Sequence, residues 1–362
     1  MTGNSPDNRG GARSTIAPRA FEDEVPRNIV TEIVSRPRLH PHIITFANEK
    51  GGVGKSTLAF HVTVALAHAG RKVVAIDLDR RQRTLERGLT YRGGTASNLG
   101  IALPCAQYAV LDQPSTASLY QTINRLGGDA DFVVLDAAGA DSPIFRRVVA
   151  LADTLITPIN ASFLDLELLG RLNPVSGIPE SAGCFGQTVS DLRREKLAHQ
   201  LGRTDWVVVK NRVRSAEKRH IGRVDQALER LSVAHDFRIG QGLSERVAFR
   251  ELFQFGLTHL DLDLIPGMTQ PQASSRSEIA ALIADLGLQV EPRVRASAAQ
   301  RRMINRRTDK PFGIVTFSGG IADVSSFADP RDALAAADEA LYRAKEGGRN
   351  RILIAEDHAQ AA

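Results

Sequence analysis

Cysteine is scarce in this chain. Cys105 and Cys184 stand far apart and lack the paired spacing of metal ligands. That excludes a disulfide framework and a sequence-encoded zinc site, and it leaves two structural thiols expected in a reducing cytoplasm. No apolar run approaches the roughly 18 residues of a spanning helix. The N-terminus has no signal-peptide core, so no membrane partner is expected. No internal repeat is present. The net charge is only +5, which permits an anionic partner without demanding one. The chain has 362 residues, 43% of them hydrophobic, enough for a sizeable α/β domain and something smaller.

The most informative residues are Lys50-Gly51-Gly52-Val53-Gly54-Lys55-Ser56-Thr57. They follow an apolar run, Ile43–Ala47, that reads as a buried parallel strand. They precede Leu58, Val62, Ala65 and Ala69, one face of a helix that stops at Gly70. Strand, glycine loop and helix together make a phosphate-binding loop. Its glycines let backbone N–H groups turn in around phosphates, and the helix N-terminus adds its positive end. Lys55 is placed to reach the β- and γ-phosphates of ATP, and Ser56 to hold Mg²⁺.

Short apolar strands alternate with helical stretches from residue 42. The strand candidates are Ile43–Ala47, Val73–Ile76, Phe132–Leu135, Thr154–Ile159 and Trp206–Val209. Unbroken Val/Ile/Leu character argues for a parallel sheet covered on both faces. The fold class is therefore α/β, a doubly wound, mostly parallel sheet of the P-loop NTPase type over residues 41–290. Residues 1–40, rich in Gly, Pro and Arg, read as mostly disordered, with Pro26 interrupting any helix over 21–34. Residues 291–310 read as a basic linker. Residues 311–362 read as a small α+β fragment.

Two carboxylates, Asp77 and Asp79, end the strand Val73–Ile76. Alternate residues of an extended chain point the same way, so both can face the phosphates at the carboxyl edge of the sheet. Phe132–Asp136 looks like a Walker B strand. Asp136 is expected near Mg²⁺, and Gly139 gives the segment after it freedom near the γ-phosphate.

A phosphate loop needs one lysine, and this one also has Lys50. The pattern Lys-Gly-Gly-x-Gly-Lys-Ser-Thr resembles the deviant Walker A motif of the ParA/MinD family. The resemblance implies that Lys50 crosses to the nucleotide of a partner subunit in an ATP-bound homodimer. It implies that Asp77 lies near the Mg²⁺ shell, that Asp79 orients the attacking water as the first switch, and that Gly139 serves the second switch. It also implies that Asn211, after the strand Trp206–Val209, reads the adenine edge. The second switch departs from the pattern. The usual Asp-Thr-Pro-Gly or Asp-Thr-Ala-Gly is here Asp136-Ala137-Ala138-Gly139, without the hydroxyl.

More segments resemble the MipZ branch of these ATPases. They include Asn48-Glu49-Lys50, Arg81-Gln82-Arg83-Thr84, Asn211-Arg212, Phe237-Arg238-Ile239-Gly240 and Arg250-Glu251-Leu252-Phe253. The likeness covers about residues 42–290. It implies division-plane positioning: nonspecific DNA binding on the nucleoid, engagement of a ParB-like protein, and inhibition of FtsZ polymerisation. Independently, Lys210, Arg212, Arg214, Lys218, Arg219 and Arg223 face one acid, Glu217, within 210–223, the kind of cluster that phosphate contact without sequence reading needs. Arg238, Arg246 and Arg250 could extend it.

The segments Gly313–Ala322 and Ala337–Arg351 resemble the C-terminal half of a GGDEF diguanylate cyclase domain. The catalytic hairpin is absent from the sequence, so no cyclase activity is expected. Two alternatives stay open: a ParA-type chromosome or plasmid partition ATPase, and an inactive scaffold in cyclic di-GMP signalling.

Overall fold

The computed structural model describes residues 24–173, 175–212, 218–244, 247–265, 273–288, 319–321, 330–346 and 352–354. The chain divides into two compact units, residues 1–290 and 291–362. In the first, the described elements run α1 (Pro26–Val34), β1 (His42–Phe46), α2 (Lys55–His68), β2 (Val73–Asp77), α3 (Thr84–Leu99), β3 (Gln107–Val110), α4 (Thr116–Gly127), β4 (Phe132–Asp136), α5 (Pro143–Leu151) and β5 (Thr154–Asn160). They continue with α6 (Phe163–Leu166), β6 (Gly170–Leu172), β7 (Pro179–Ala182), α7 (Cys184–Ala198), β8 (Asp205–Asn211), α8 (Lys218–His235), β9 (Arg238–Gln241), α9 (Val247–Phe253) and α10 (Ala273–Asp285).

Seven strands form one parallel sheet in the order β3-β2-β4-β1-β5-β8-β9. Alternation along each strand splits the core between two faces. Ile43, Val133, Leu135, Trp206 and Val208 join one cluster. Ile44, Phe46, Val134, Val207 and Val209 join the other. This is the two-residue period of a strand with both faces covered, and the doubly wound expectation holds. All five sequence-read strands are present. The two edge strands, β3 and β9, were not read. Their burial is only partial, so Gln107 and Arg238 are tolerated and no apolar run marks them. A small antiparallel pair, β6 and β7, precedes α7.

The N-terminal reading needs one correction. Residues 24–40 are structured, and Pro26 begins α1 rather than interrupting it. Proline suits the first helical position because an N–H there has no intrahelical partner. Ile29, Val30 and Ile33 form the buried face of α1. Arg147 of α5 pairs with Glu24 at 2.9 Å and Glu32 at 2.8 Å. Residues 1–23 lie outside the described residues.

In the second unit, Gly319–Ile321 (β10) pairs in parallel with Ile352–Ile354 (β11), and Pro330–Glu346 (α11) lies between them in sequence. Residues 291–318, which include the expected linker, lie outside the described residues.

Candidate nucleotide site

β1 lies where the strand order reverses, flanked by β4 and β5. Its carboxyl end is therefore the crevice where an open α/β sheet takes its ligand. The chain leaves β1 through the glycine loop and enters α2 at Lys55. Gly54, the residue before α2, has φ 93° and no side-chain cap, so the first N–H groups of α2 are left for a ligand. A Cβ at Gly54 would stand 2.2 Å from Asn211 Nδ2, so glycine is required there both by conformation and by space.

The loop floors a cleft of about 610 Å³. One wall is Leu78–Gln82 and the other Ala137–Ala140, so both expected switches flank the loop. Lys55 is buried, and its Nζ donates to the Lys50 carbonyl at 2.9 Å. Burial lowers its pKa, and the charges of Asp136 and Asp79 pull it partly back. An ideal Cβ on Gly139 would lie 3.2 Å from Gly51 Cα and 3.2 Å from Lys55 Nζ. The second switch thus touches the loop at a residue with no side chain to spare. Ala137, at the position where the resembled pattern has the threonine hydroxyl, is buried, and it lines the cleft together with Ala138.

Asp136 is wholly buried at the end of β4. Neither of its oxygens has a hydrogen bond of acceptable geometry among the described residues, although the Ser56 hydroxyl lies close enough to lower its pKa. Burial first, then the charge of Asp77, push that pKa up to about 8. A buried carboxylate without donors is unfavourable unless a cation completes it, so Asp136 and Ser56 fit Mg²⁺. Among the described residues no group of three His, Cys, Asp or Glu is arranged as a metal site. Mg²⁺ does not require one, because phosphates and water supply most of its shell.

Asp77, expected near the Mg²⁺ shell, is engaged by the backbone. It accepts the N–H of Asp79 at 2.9 Å and of Glu86 at 3.2 Å, and so fixes the first switch to the start of α3. Burial raises its pKa, partly offset by those donors. Asp79 lines the cleft and accepts the N–H groups of Arg81 and Gln82.

Asn211 ends β8 buried, with both ends of its amide engaged. Nδ2 donates to the Val53 carbonyl at 2.8 Å, and Oδ1 accepts the Leu243 N–H at 3.1 Å. Each end keeps one further hydrogen-bonding position, and Asn211 also lines a second cavity. Arg212, expected with the DNA cluster, lies instead at the phosphate cleft and donates to the Gly52 carbonyl at 2.7 Å. Thr57 and Arg212 also border this second cavity of about 340 Å³, lined further by Leu243, Ser244, Phe249 and Phe253. Sequence reading gives Leu243, Ser244, Phe249 and Phe253 no role at the site.

Lys50 forms an ion pair with Asp165 of α6, whose other oxygen accepts the Asn160 N–H at 2.7 Å. Asp165 is fully buried, and the Lys50 side chain keeps 41% of its exposure. Asp165 was also missed, because its only sequence signal is an acid inside an apolar stretch.

Of the other basic residues, Arg223 is exposed and stacks over Phe163 with its guanidinium 5.8 Å from the ring centre. Arg238 is paired with Asp205 and donates to the Asp285 carbonyl. Arg250 is exposed beside the second cavity. Arg214, Arg246 and the side chains of Lys218 and Arg219 lie outside the described residues.

The model of the family described as ATPase MipZ matches residues 42–290. The chain belongs to the MipZ ATPase family. Its relatives are ParA/MinD-type ATPases of partitioning and positioning. It is 27% identical over 214 residues to the chromosome-partitioning ATPase Soj of Thermus thermophilus, covering 50% of this chain and 85% of that one. It is 28% identical over 151 residues to the septum site-determining protein MinD of Helicobacter pylori, covering 34% and 55%. Among solved structures, MinD of Pyrococcus horikoshii complexed with Mg-ADP superposes with TM-score 0.45 and 18% identity, over 70% of this chain and 100% of that one. No helix among the described residues is long and apolar enough to cross a membrane.

Proposed function

We propose that this MipZ family member binds and hydrolyses ATP and uses the cycle to position a cellular structure, the division plane being the reading favoured by family membership. The observation that carries the proposal is the two-lysine loop, with Lys55 buried between two cleft walls and facing the unsatisfied Asp136. In that reading the loop amides and Lys55 hold the phosphates, while Ser56 and Asp136 hold Mg²⁺. Bound there, Mg²⁺ neutralises charge on the transferring phosphoryl group. Asp79, held by the loop N–H groups of Arg81 and Gln82, orients water. The second cavity takes the nucleoside. Lys50 leaves Asp165 to reach the phosphates of a second copy, so ATP favours a dimer and hydrolysis releases it.

The basic sequence segment holding Arg214, Lys218, Arg219 and Arg223 is proposed to meet DNA phosphates without reading sequence. A ParB-like protein and FtsZ are the proposed partners, and the nucleoid is the proposed location. Similarity to Soj supports a second reading, partition of chromosomes. An effect of the purified ATP-bound protein on FtsZ polymerisation separates the two.

The test is Asp79→Ala. The variant is expected to bind ATP and dimerise like the parent, by ultracentrifugation, while phosphate release falls at least about tenfold. Unimpaired release would remove Asp79 from the reaction.

A further inference from the structure

Asn211 and Arg212 are consecutive residues, and they grip consecutive carbonyls of the phosphate loop. Asn211 Nδ2 holds the Val53 oxygen at 2.8 Å, and Arg212 Nη1 holds the Gly52 oxygen at 2.7 Å. In a planar trans peptide the C=O and the next N–H point in opposite directions. Fixing the Gly52 carbonyl therefore fixes the Val53 N–H, and fixing the Val53 carbonyl fixes the Gly54 N–H. Among the described residues, none of the N–H groups of Gly51, Gly52, Val53 or Gly54 donates to another protein group. Gly51, Gly52 and Gly54 line the cleft, so successive backbone donors are left for an anion there.

The grip is built into β8 and the turn after it. Arg212 adopts φ 55°, which is uncommon for a residue with a side chain. Its own N–H donates to the Leu243 carbonyl at 2.8 Å, while the Leu243 N–H donates to Asn211. Leu243, two residues after β9, thus anchors both residues. Gly54 lacks a Cβ where Asn211 Nδ2 approaches, so the loop is shaped to receive the clamp.

We propose that Asn211 and Arg212 are positioning residues that aim the phosphate-binding amides of the loop. The inference rests on the reading of the cleft as a nucleotide site. Amides aimed in this way act on phosphates that ATP and ADP share, so the clamp serves both nucleotides equally. Asn211 is buried, and its removal would leave the Val53 carbonyl and the Leu243 N–H without partners. Arg212 is exposed and is the better place to test.

The experiment measures ATP and ADP affinity of the full chain by calorimetry, with Mg²⁺, for the parent and for Arg212→Ala, Arg212→Lys and Arg212→Gly. Apo melting temperature and duplex DNA binding are measured alongside. Arg212→Ala is expected to weaken ATP and ADP by the same factor, about tenfold for one lost hydrogen bond to a loop carbonyl. Arg212→Lys is expected to recover most of the affinity, because an ammonium can donate to one carbonyl. Arg212→Gly, free of any cost at φ 55°, is expected to melt no lower than Arg212→Ala and to bind no better.

Each of the following results would overturn the clamp. Weakening of ATP alone would mean that Arg212 touches the γ-phosphate. Unchanged nucleotide affinity with reduced DNA binding would return Arg212 to the DNA surface. A lysine variant as weak as the alanine variant would show that the guanidinium does not act through the Gly52 carbonyl. If the folded parent binds neither nucleotide, the reading of the cleft falls and takes the clamp with it. If the parent binds and Arg212→Ala is unchanged, only the clamp falls.

Discussion

Asp136 and Asp261 are both fully buried carboxylates in the same unit, and their surroundings have opposite effects. Asp261 lies away from the phosphate loop and receives Arg92 at 2.6 and 2.8 Å, His68 at 2.6 Å, and the N–H and hydroxyl of Thr258 at 2.7 and 2.9 Å. Burial pushes its pKa up, but Arg92 and His68 more than reverse this and hold it well below the usual carboxylate range. Asp136 is equally dry, gains little from Ser56 and Lys55, and is pushed up to about 8. Burial alone therefore does not distinguish a structural acid from one awaiting a ligand. The supply of donors does.

The largest expected effect falls on the ligand side of this comparison. Lys55→Ala should abolish measurable ATP binding in calorimetry while leaving the apo protein close to its parent in urea unfolding. A variant that bound ATP as tightly as the parent would break the assignment of the cleft. Next, Asp261→Asn should cost about 3–5 kcal/mol of apo stability, since it leaves Arg92 buried without its counter-charge. Asp136→Asn should leave apo stability unchanged or raise it, yet remove Mg²⁺-dependent hydrolysis. Equal losses of stability in the two variants would erase the distinction between the sites.

The acid side of the stability curve sharpens the comparison. His61, on the buried side of α2, has its pKa lowered to about 4, first by burial and then by His259, against the Thr57 carbonyl that supports its charge. Its unfolded value is about 6.5, so the unfolded chain binds more protons in this window. Stability should fall, by up to ~3 kcal/mol, as pH drops from 6.5 through 4. Asp261 is also depressed, and its contribution is lost only below about pH 4, where the unfolded carboxylate protonates first. Urea midpoints against pH should show the first loss vanish in His61→Phe and the second in Asp261→Asn. The smallest effect concerns the two units. A chain ending at residue 290 should keep its ATPase rate and ATP-dependent dimerisation within about twofold. The full chain should form no cyclic di-GMP from GTP.

The site was legible in proportion to how local its chemistry is. The glycine loop, Lys55, Ser56 and the strand-end acids announce themselves within a few residues, because one backbone turn and one strand end place them. The central strands were equally plain, since burial on both faces leaves no room for polar residues. The edges β3 and β9 were not legible, because partial burial relaxes that demand. Pro26 was misread because a helix start and a helix break use the same residue, and only the packing of Ile29, Val30 and Ile33 tells them apart.

Sequence by itself thus determined a parallel α/β sheet, a phosphate loop with two lysines, and the family. Tertiary structure decided what each polar group is bonded to. Val53 and Asn211 are 158 residues apart, as Lys50 and Asp165 are separated by 115 and Arg92 and Asp261 by 169. Sequence spacing cannot specify such pairings. The first two exist because the strand order brings β8 and α6 to the same sheet edge as β1, and the third because the chain before α10 returns to α3; in each place the supply of hydrogen-bond donors decides which charges are satisfied and which remain for a ligand.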